Sequence, residues 1–283
     1  MKWQVALAQM DSKDHPEDNL ARAASLAARA KNRGADLIAF PEFMNYLPFE
    51  RGKVFGEPPL GRSTQLLQRL AKEHSLMISA GSILTQCVER KPRNRSFFVD
   101  REGQLSGIYD KVHLFEGLDF RGEPFREADL YQAGDHLTVT QLEGIAVGTA
   151  ICYDLRFPEP FRLMALAGAR VVFVPGNFTW ATGQYHLETL LRARAIEHGL
   201  FIVSSDQTGQ KRHGKSYGHS MAFGPDGALL GKLEEEEGLL MVSLDFSHQQ
   251  EVRRIMPLVA QNREDVYAEF RLRLSLERRS GLS

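Results

Sequence analysis

The chain has 283 residues, 43% of them hydrophobic and 25% charged, and its 35 basic and 36 acidic residues leave a net charge of -1. That is enough chain for one large domain with its own core, and the single-domain reading covers residues 1–283. A charge this small holds no polyanion, which argues against nucleic acid or an anionic membrane as partner and for a small molecule.

The apolar stretch in "MKWQVALAQM" is too short for a signal-peptide core, and no run approaches the roughly 18 apolar residues of a membrane span. The expectation is a cytoplasmic protein in which Cys87 and Cys152 remain thiols. "WQVALAQM" reads as a strand. Pro16 then opens a helix with Leu20, Ala23, Ala24, Ala27 and Ala30 on one face, closed by Gly34. "ADLIAF" is the next strand, "STQLLQRLAKEH" from Ser63 the next helix, and "LMISAGSIL" a third strand. Between 93 and 110 two β-rich runs flank Arg101-Glu102-Gly103, the pattern of a hairpin. Glu116 to Gly134 shows no periodicity and reads as a long functional loop.

The second half repeats the theme. "GIAVGTAI", "RVVFVP" and "LFIVSS" read as strands, with helices from about Pro158 to Gly168 and about Gly183 to His198. Two further strands surround the turn Gly224-Pro225-Asp226-Gly227. Glu234 to Glu237 reads as a solvated hairpin tip, and the tail from Arg271 as frayed or reaching a partner subunit.

Cys152 lies where the strand "GIAVGTAI" gives way to a helix opened by Pro158. A helix N-terminus there would lower its thiol pKa and bind a developing oxyanion. A cysteine after an apolar strand is more often a small buried hydrophobe. Glu42 and Lys111, however, also stand just past apolar strands, and the carboxyl ends of strands are where α/β sheets bind ligands. A base, a cation and a thiol together suggest acyl transfer through a thioester, with the Tyr153 backbone N–H assisting Lys111 at the oxyanion.

"FPEF", "YDKVHLF" and "CYDLRFPE" resemble the three signature segments of the nitrilase superfamily of carbon-nitrogen hydrolases, at intervals of 69 and 41 residues between Glu42, Lys111 and Cys152. The resemblance implies Glu42 as general base, Lys111 as oxyanion-stabilising lysine and Cys152 as nucleophile. It also implies a second glutamate in the loop after the lysine, here Glu127, with Glu123 as its rival. "GNFTWATGQYHLETLLRARAIE" resembles a further family segment, with Leu187 in place of the usual tryptophan.

Asn177 and Phe178 are expected in the substrate pocket. Glu188 and Arg192 are spaced to pair on a helix, and Arg156, Arg192 and Arg194 read as structural charges. No HExxH or CxxC pattern marks a metal site, and His113 and His219 are the only hints of a rival Cys-His site. "SYGHSMAFGPDG" and the C-terminal segment are most similar to the deaminated-glutathione amidase and omega-amidase branch. The resemblance thus implies a four-layer α-β-β-α sandwich with mixed sheets, needing no cofactor and forming a homodimer or higher homo-oligomer. The implied substrate is a small carboxylate-bearing amide, cleaved to acid and ammonia. Nitrile or carbamoyl substrates, and a non-catalytic scaffold, remain the alternatives.

Overall fold

A computed structural model describes residues 1–47, 56–87, 90–118, 123–211 and 214–280. Two mixed sheets form its centre, each with three parallel strands in the middle. In the first, Lys2–Gln9, Leu37–Ala39 and Met77–Ser79 run parallel. Gly238–Asp245 lies antiparallel outside Lys2–Gln9, and Arg90–Val99 lies antiparallel beyond Met77–Ser79. Ile83–Cys87 and Leu105–Asp110 both pair with Arg90–Val99. In the second, Ile145–Thr149, Val171–Phe173 and Phe201–Ser204 are parallel. Val139–Leu142 closes one side, and Met221–Phe223 with Leu229–Lys232 the other.

The period of two along each strand assigns the layers. Val5 and Leu7 join Leu37, Val147, Val171 and Phe173 in the core between the sheets, with Phe98 and Phe173 edge to face at 5.4 Å. Ala6 and Ala8 turn the other way, onto Ala23, Ala27 and Ala30 of helix Pro16–Asn32 and Leu67 and Leu70 of helix Arg62–His74. On the far side, Val172 and Ile202 meet Phe161 and Met164 of helix Pro158–Leu166 and Leu187 and Leu191 of helix Trp180–His198. The result is the expected α-β-β-α sandwich. Leu187 is fully buried in the last layer, a hydrophobe where the related segment carries a larger one. Among the described residues no helix is long and apolar enough to cross a membrane.

Several boundaries differ from the sequence reading. "LMISAGSIL" is two strands broken at Gly81, whose φ of +67° and approach to Pro41 O leave no room for a Cβ. The second long helix starts at Trp180, because the Thr179 side chain caps it through Thr182 N. The expected loop Glu116 to Gly134 contains a small ribbon, Glu116–Leu118 against Pro124–Arg126, followed by a 3-10 turn Glu127–Asp129. Strands of three residues are too short to register as alternation, and 119–122 lie outside the described residues.

Glu234 to Glu237 is not a hairpin tip. It crosses from Leu229–Lys232 in the second sheet to Gly238–Asp245 in the first. Gln9 Nε2 binds the carbonyls of Glu234 and Glu236 at 2.6 and 2.8 Å, so the acidic side chains face outward over an anchored backbone. The tail from Arg271 continues the helix Glu264–Ser280, exposed over residues 271–275, with 281–283 outside the described residues.

Candidate active site

Glu42, Lys111 and Cys152 converge at one end of the two sheets, each just beyond a strand: Leu37–Ala39, Leu105–Asp110 and Ile145–Thr149. All of Lys111 and nearly all of Glu42 is buried. Lys111 Nζ donates to Glu42 Oε1 at 3.0 Å and lies 2.9 Å from Glu127 Oε2. Glu127 is buried and its Oε2 also accepts from Phe115 N at 2.8 Å, whereas Glu123 is exposed. The geometry therefore puts Glu127 rather than its rival against the lysine. Lys111 N bonds Asn94 O at 2.9 Å and Gly134 N bonds Lys111 O at 2.8 Å, so the lysine backbone is held on both sides.

Cys152 has φ of +48°, a left-handed conformation that costs a non-glycine residue on the order of 1 kcal/mol. The strand-to-helix elbow is realised as a single 3-10 turn, Cys152–Arg156, ahead of the helix at Pro158. Cys152 N bonds Pro175 O at 2.9 Å, and the Asn177 backbone N–H donates to the thiol. The Glu42 carboxylate is close enough to act on that thiol electrostatically. The Tyr153 N–H donates to no protein acceptor among the described residues. Its ring stands edge-on to Phe115 and Phe157 at 5.2 and 5.6 Å.

Asp154 ties the two loops together. Its carboxylate is fully buried and accepts four hydrogen bonds: Tyr109 OH at 2.7 Å, Ile151 N at 2.8 Å, His113 N at 2.9 Å and His113 Nδ1 at 2.8 Å. Tyr109 and His113 bracket Lys111, and Ile151 precedes Cys152. One carboxylate thus fixes the lysine loop against the cysteine turn. Gln207, equally buried, holds the base segment from the second sheet, its Nε2 donating to Glu42 O at 2.9 Å while its N–H bonds Gly176 O at 2.9 Å.

The electrostatics differ from the sequence reading in one respect. Burial and the nearby Glu42 carboxylate push the Cys152 thiol well above its ordinary pKa, outweighing Lys111 and the Asn177 N–H. The expectation of a thiol lowered by a helix N-terminus is therefore corrected, because one 3-10 turn does not offset the desolvation of a half-buried thiol beside a carboxylate. Burial likewise raises Glu42, with Lys111 pulling it back and Glu127 adding to the rise. For Lys111, burial disfavours the charge, but the carboxylates of Glu127 and Glu42 more than compensate and hold its pKa well above the usual lysine value. The thiol thus stands beside a lysine clamped by two carboxylates.

The other candidates separate. Asn177 Oδ1 accepts from Ser216 Oγ at 2.7 Å, so the residue meets Cys152 through its backbone. Phe178 is buried in the outer core with Leu187 and Tyr217, and Gly176 gives its ring room to pack against the backbone. Arg192 pairs with Glu188 at 2.9 Å, Arg194 is buried on Leu155 O at 3.0 Å, and Arg156 contacts His186 at 3.0 Å. His113 Nδ1 faces Asp154, and His219 Nδ1 faces Tyr217 O at 2.7 Å. Both cysteines are free.

Sequence reasoning passed over Asn94, Asp154, Asp206 and Gln207. Asp206, wholly buried, accepts from Ser204 Oγ at 2.8 Å through Oδ2, while its Oδ1 has no hydrogen-bond partner among the described residues. Burial raises its pKa to about 8.

A family model described as carbon-nitrogen hydrolase matches residues 4–254. The chain is 33% identical over 273 residues to a deaminated glutathione amidase of Yersinia enterocolitica, covering 92% of each. It is also 33% identical over 273 residues to the omega-amidase NIT2 of Mus musculus, covering 94% of this chain and 96% of that one. The crystal structure of Saccharomyces cerevisiae Nit3, a member of branch 10 of the nitrilase superfamily, superposes with a TM-score of 0.81 at 27% identity, over 93% of this chain and 97% of that one.

Proposed function

The chain belongs to the carbon-nitrogen hydrolase family, and from that premise we propose that it is a thiol-dependent amidohydrolase. Its substrate is a small carboxylate-bearing amide: a 2-oxo acid omega-amide is split to acid and ammonia, and deaminated glutathione, whose amide nitrogen belongs to its cysteine, to acid and the cysteine-containing amine. The observation that carries this reading is Lys111 bonded to both Glu42 and Glu127, with Glu42 and Lys111 both acting electrostatically on the Cys152 thiol. The names of the relatives support the substrate class.

In the proposed reaction Glu42 removes the thiol proton as sulfur attacks the amide carbon, because a thiol whose pKa is raised needs a base at hand at the moment of attack. The carbonyl oxygen takes the negative charge and is met by Lys111 and the Tyr153 N–H. Collapse breaks the C–N bond, and Glu42-H returns the proton to the departing nitrogen, leaving a thioester on Cys152 and free ammonia, or the free amine where the amide is secondary. Water then adds to the thioester, giving its proton to Glu42. The second collapse releases the acid and restores the thiol with that proton. Glu127 holds Lys111 in place throughout.

The same reading includes a cytoplasmic homodimer or higher homo-oligomer, supported by exposed apolar side chains on the outer helices, among them Leu163, Leu166, Tyr267 and Phe270. Ammonia release from 2-oxoglutaramate and amine release from deaminated glutathione, beside the turnover of simple nitriles and N-carbamoyl amino acids, test the reaction. Turnover confined to the amides is expected. Turnover of nitriles or carbamoyl compounds alone, or of nothing in the panel, overturns it.

A further inference from the structure

Glu42 Oε1 receives two donors, Lys111 Nζ at 3.0 Å and the side-chain Nδ2 of Asn94 at 2.8 Å. Asn94 lies inside strand Arg90–Val99 and is fully buried. Its other amide atom, Oδ1, is buried without a hydrogen-bond partner among the described residues. Turning the amide over would set Oδ1 against the carboxylate, so Glu42 dictates the orientation and the acceptor is left bare. A buried amide kept half-satisfied in this way calls for an explanation beyond packing.

We infer that Asn94 is a positioning residue for Glu42: its N–H occupies Oε1 together with Lys111, which leaves Oε2 as the oxygen presented to the Cys152 thiol. A carboxylate oxygen has two lone-pair sites, and on Oε1 both are taken. Asn94 does this without charge. A second cation at this place would hold Glu42 too firmly ionised to accept a proton, whereas an amide fixes it in direction and stabilises its anion by one hydrogen bond. Through its backbone carbonyl the same residue also holds Lys111 N at 2.9 Å, so base and lysine are set by one strand position.

The inference rests on the proposed role of Glu42 as base. The other titratable groups facing that carboxylate are Lys111, Glu127, Cys152, Asp206 and Tyr131, and all of them are retained in the test. The measurement is the pH dependence of kcat/KM for Asn94→Ala beside wild type. Loss of a donor to the ionised form raises the pKa of Glu42, so the acid limb is expected to move up by about 1 to 2 pH units, lowering kcat/KM roughly 10- to 100-fold on that limb.

An acid limb at the wild-type pH, with loss confined to the plateau or to thermal stability, overturns the inference. Should Asn94→Ala not fold, Asn94→Ser carries the same expectation, its hydroxyl being too short to reach Oε1. Glu42→Gln, assayed in parallel, separates the two levels. If it remains active, the role of Glu42 itself falls; if it is inactive while the Asn94 variant keeps the wild-type acid limb, only the positioning role falls.

Discussion

Replacing Asp154 by asparagine keeps the size and shape of the side chain but exchanges one of two accepting oxygens for an NH2. Oδ2 serves Tyr109 OH and Ile151 N, and Oδ1 serves His113 N and Nδ1. A tyrosine hydroxyl can rotate and a histidine can change tautomer, but a backbone N–H can do neither. Whichever way the amide turns, Ile151 N or His113 N faces another donor. Hydrogen bonds to a charged acceptor contribute about 1.5–3 kcal/mol, and a buried orphan donor costs about 1–3 kcal/mol, so Asp154→Asn is expected to lose about 3–5 kcal/mol. For a chain of this size that lowers Tm by roughly 10 °C. The turn before Cys152 and the loop before Lys111 would also lose their shared anchor, with a drop in kcat well beyond the change in KM. Urea titration and steady-state kinetics on the purified variant check both. Tyr109→Phe, which deletes one adaptable donor, is the control and should cost about 1 kcal/mol. A variant at position 154 within 1 kcal/mol of wild type and with unchanged kcat would refute the reasoning.

Cys152→Ala should abolish turnover while shifting stability by no more than about 1 kcal/mol, since one small atom is removed and the left-handed backbone is unchanged; ammonia release and a thermal melt report the two effects. Glu127→Gln removes one of the two anions that hold the charge on Lys111 and should lower kcat roughly 100-fold with little change in KM, as steady-state kinetics would show. Asp206 is raised from 3.8 to about 8, so its neutral form favours folding at low pH and that contribution fades as pH climbs through about 8. A displacement of that size corresponds to about 6 kcal/mol as an upper limit. Asp206→Asn should therefore gain stability relative to wild type between pH 5 and pH 9. Parallel chemical denaturation at the two pH values checks this, and equal slopes would rule it out.

The long apolar strands and amphipathic helices were legible because both of their periods run over many residues, and the four-layer arrangement came with the resemblance. Glu42, Lys111 and Cys152 stood out because each is an ionisable group arriving where an apolar run ends. Asn94 did not, since it sits within the unbroken polar run "RKPRNRS" rather than where an apolar run ends. Only its pairing with strands on both sides and the arrival of Glu42 make that position interior. Asp154 sat inside a quoted motif, yet its role depends on Tyr109 and His113, more than forty residues earlier. The crossover at Glu234 to Glu237 looked like a tip because charge density reports the side chains and is silent about which sheet each flanking strand joins.

Glu42, Asn94 and Lys111 are carried by the first sheet and Cys152 by the second. In the proposed reaction, catalytic competence is a property of the seam and belongs to neither half. During refolding, secondary structure would return before turnover does, and the lag between them would clock the docking of one layer on the other. A sliding displacement of an ångström along that seam would silence the enzyme while leaving each sheet internally intact.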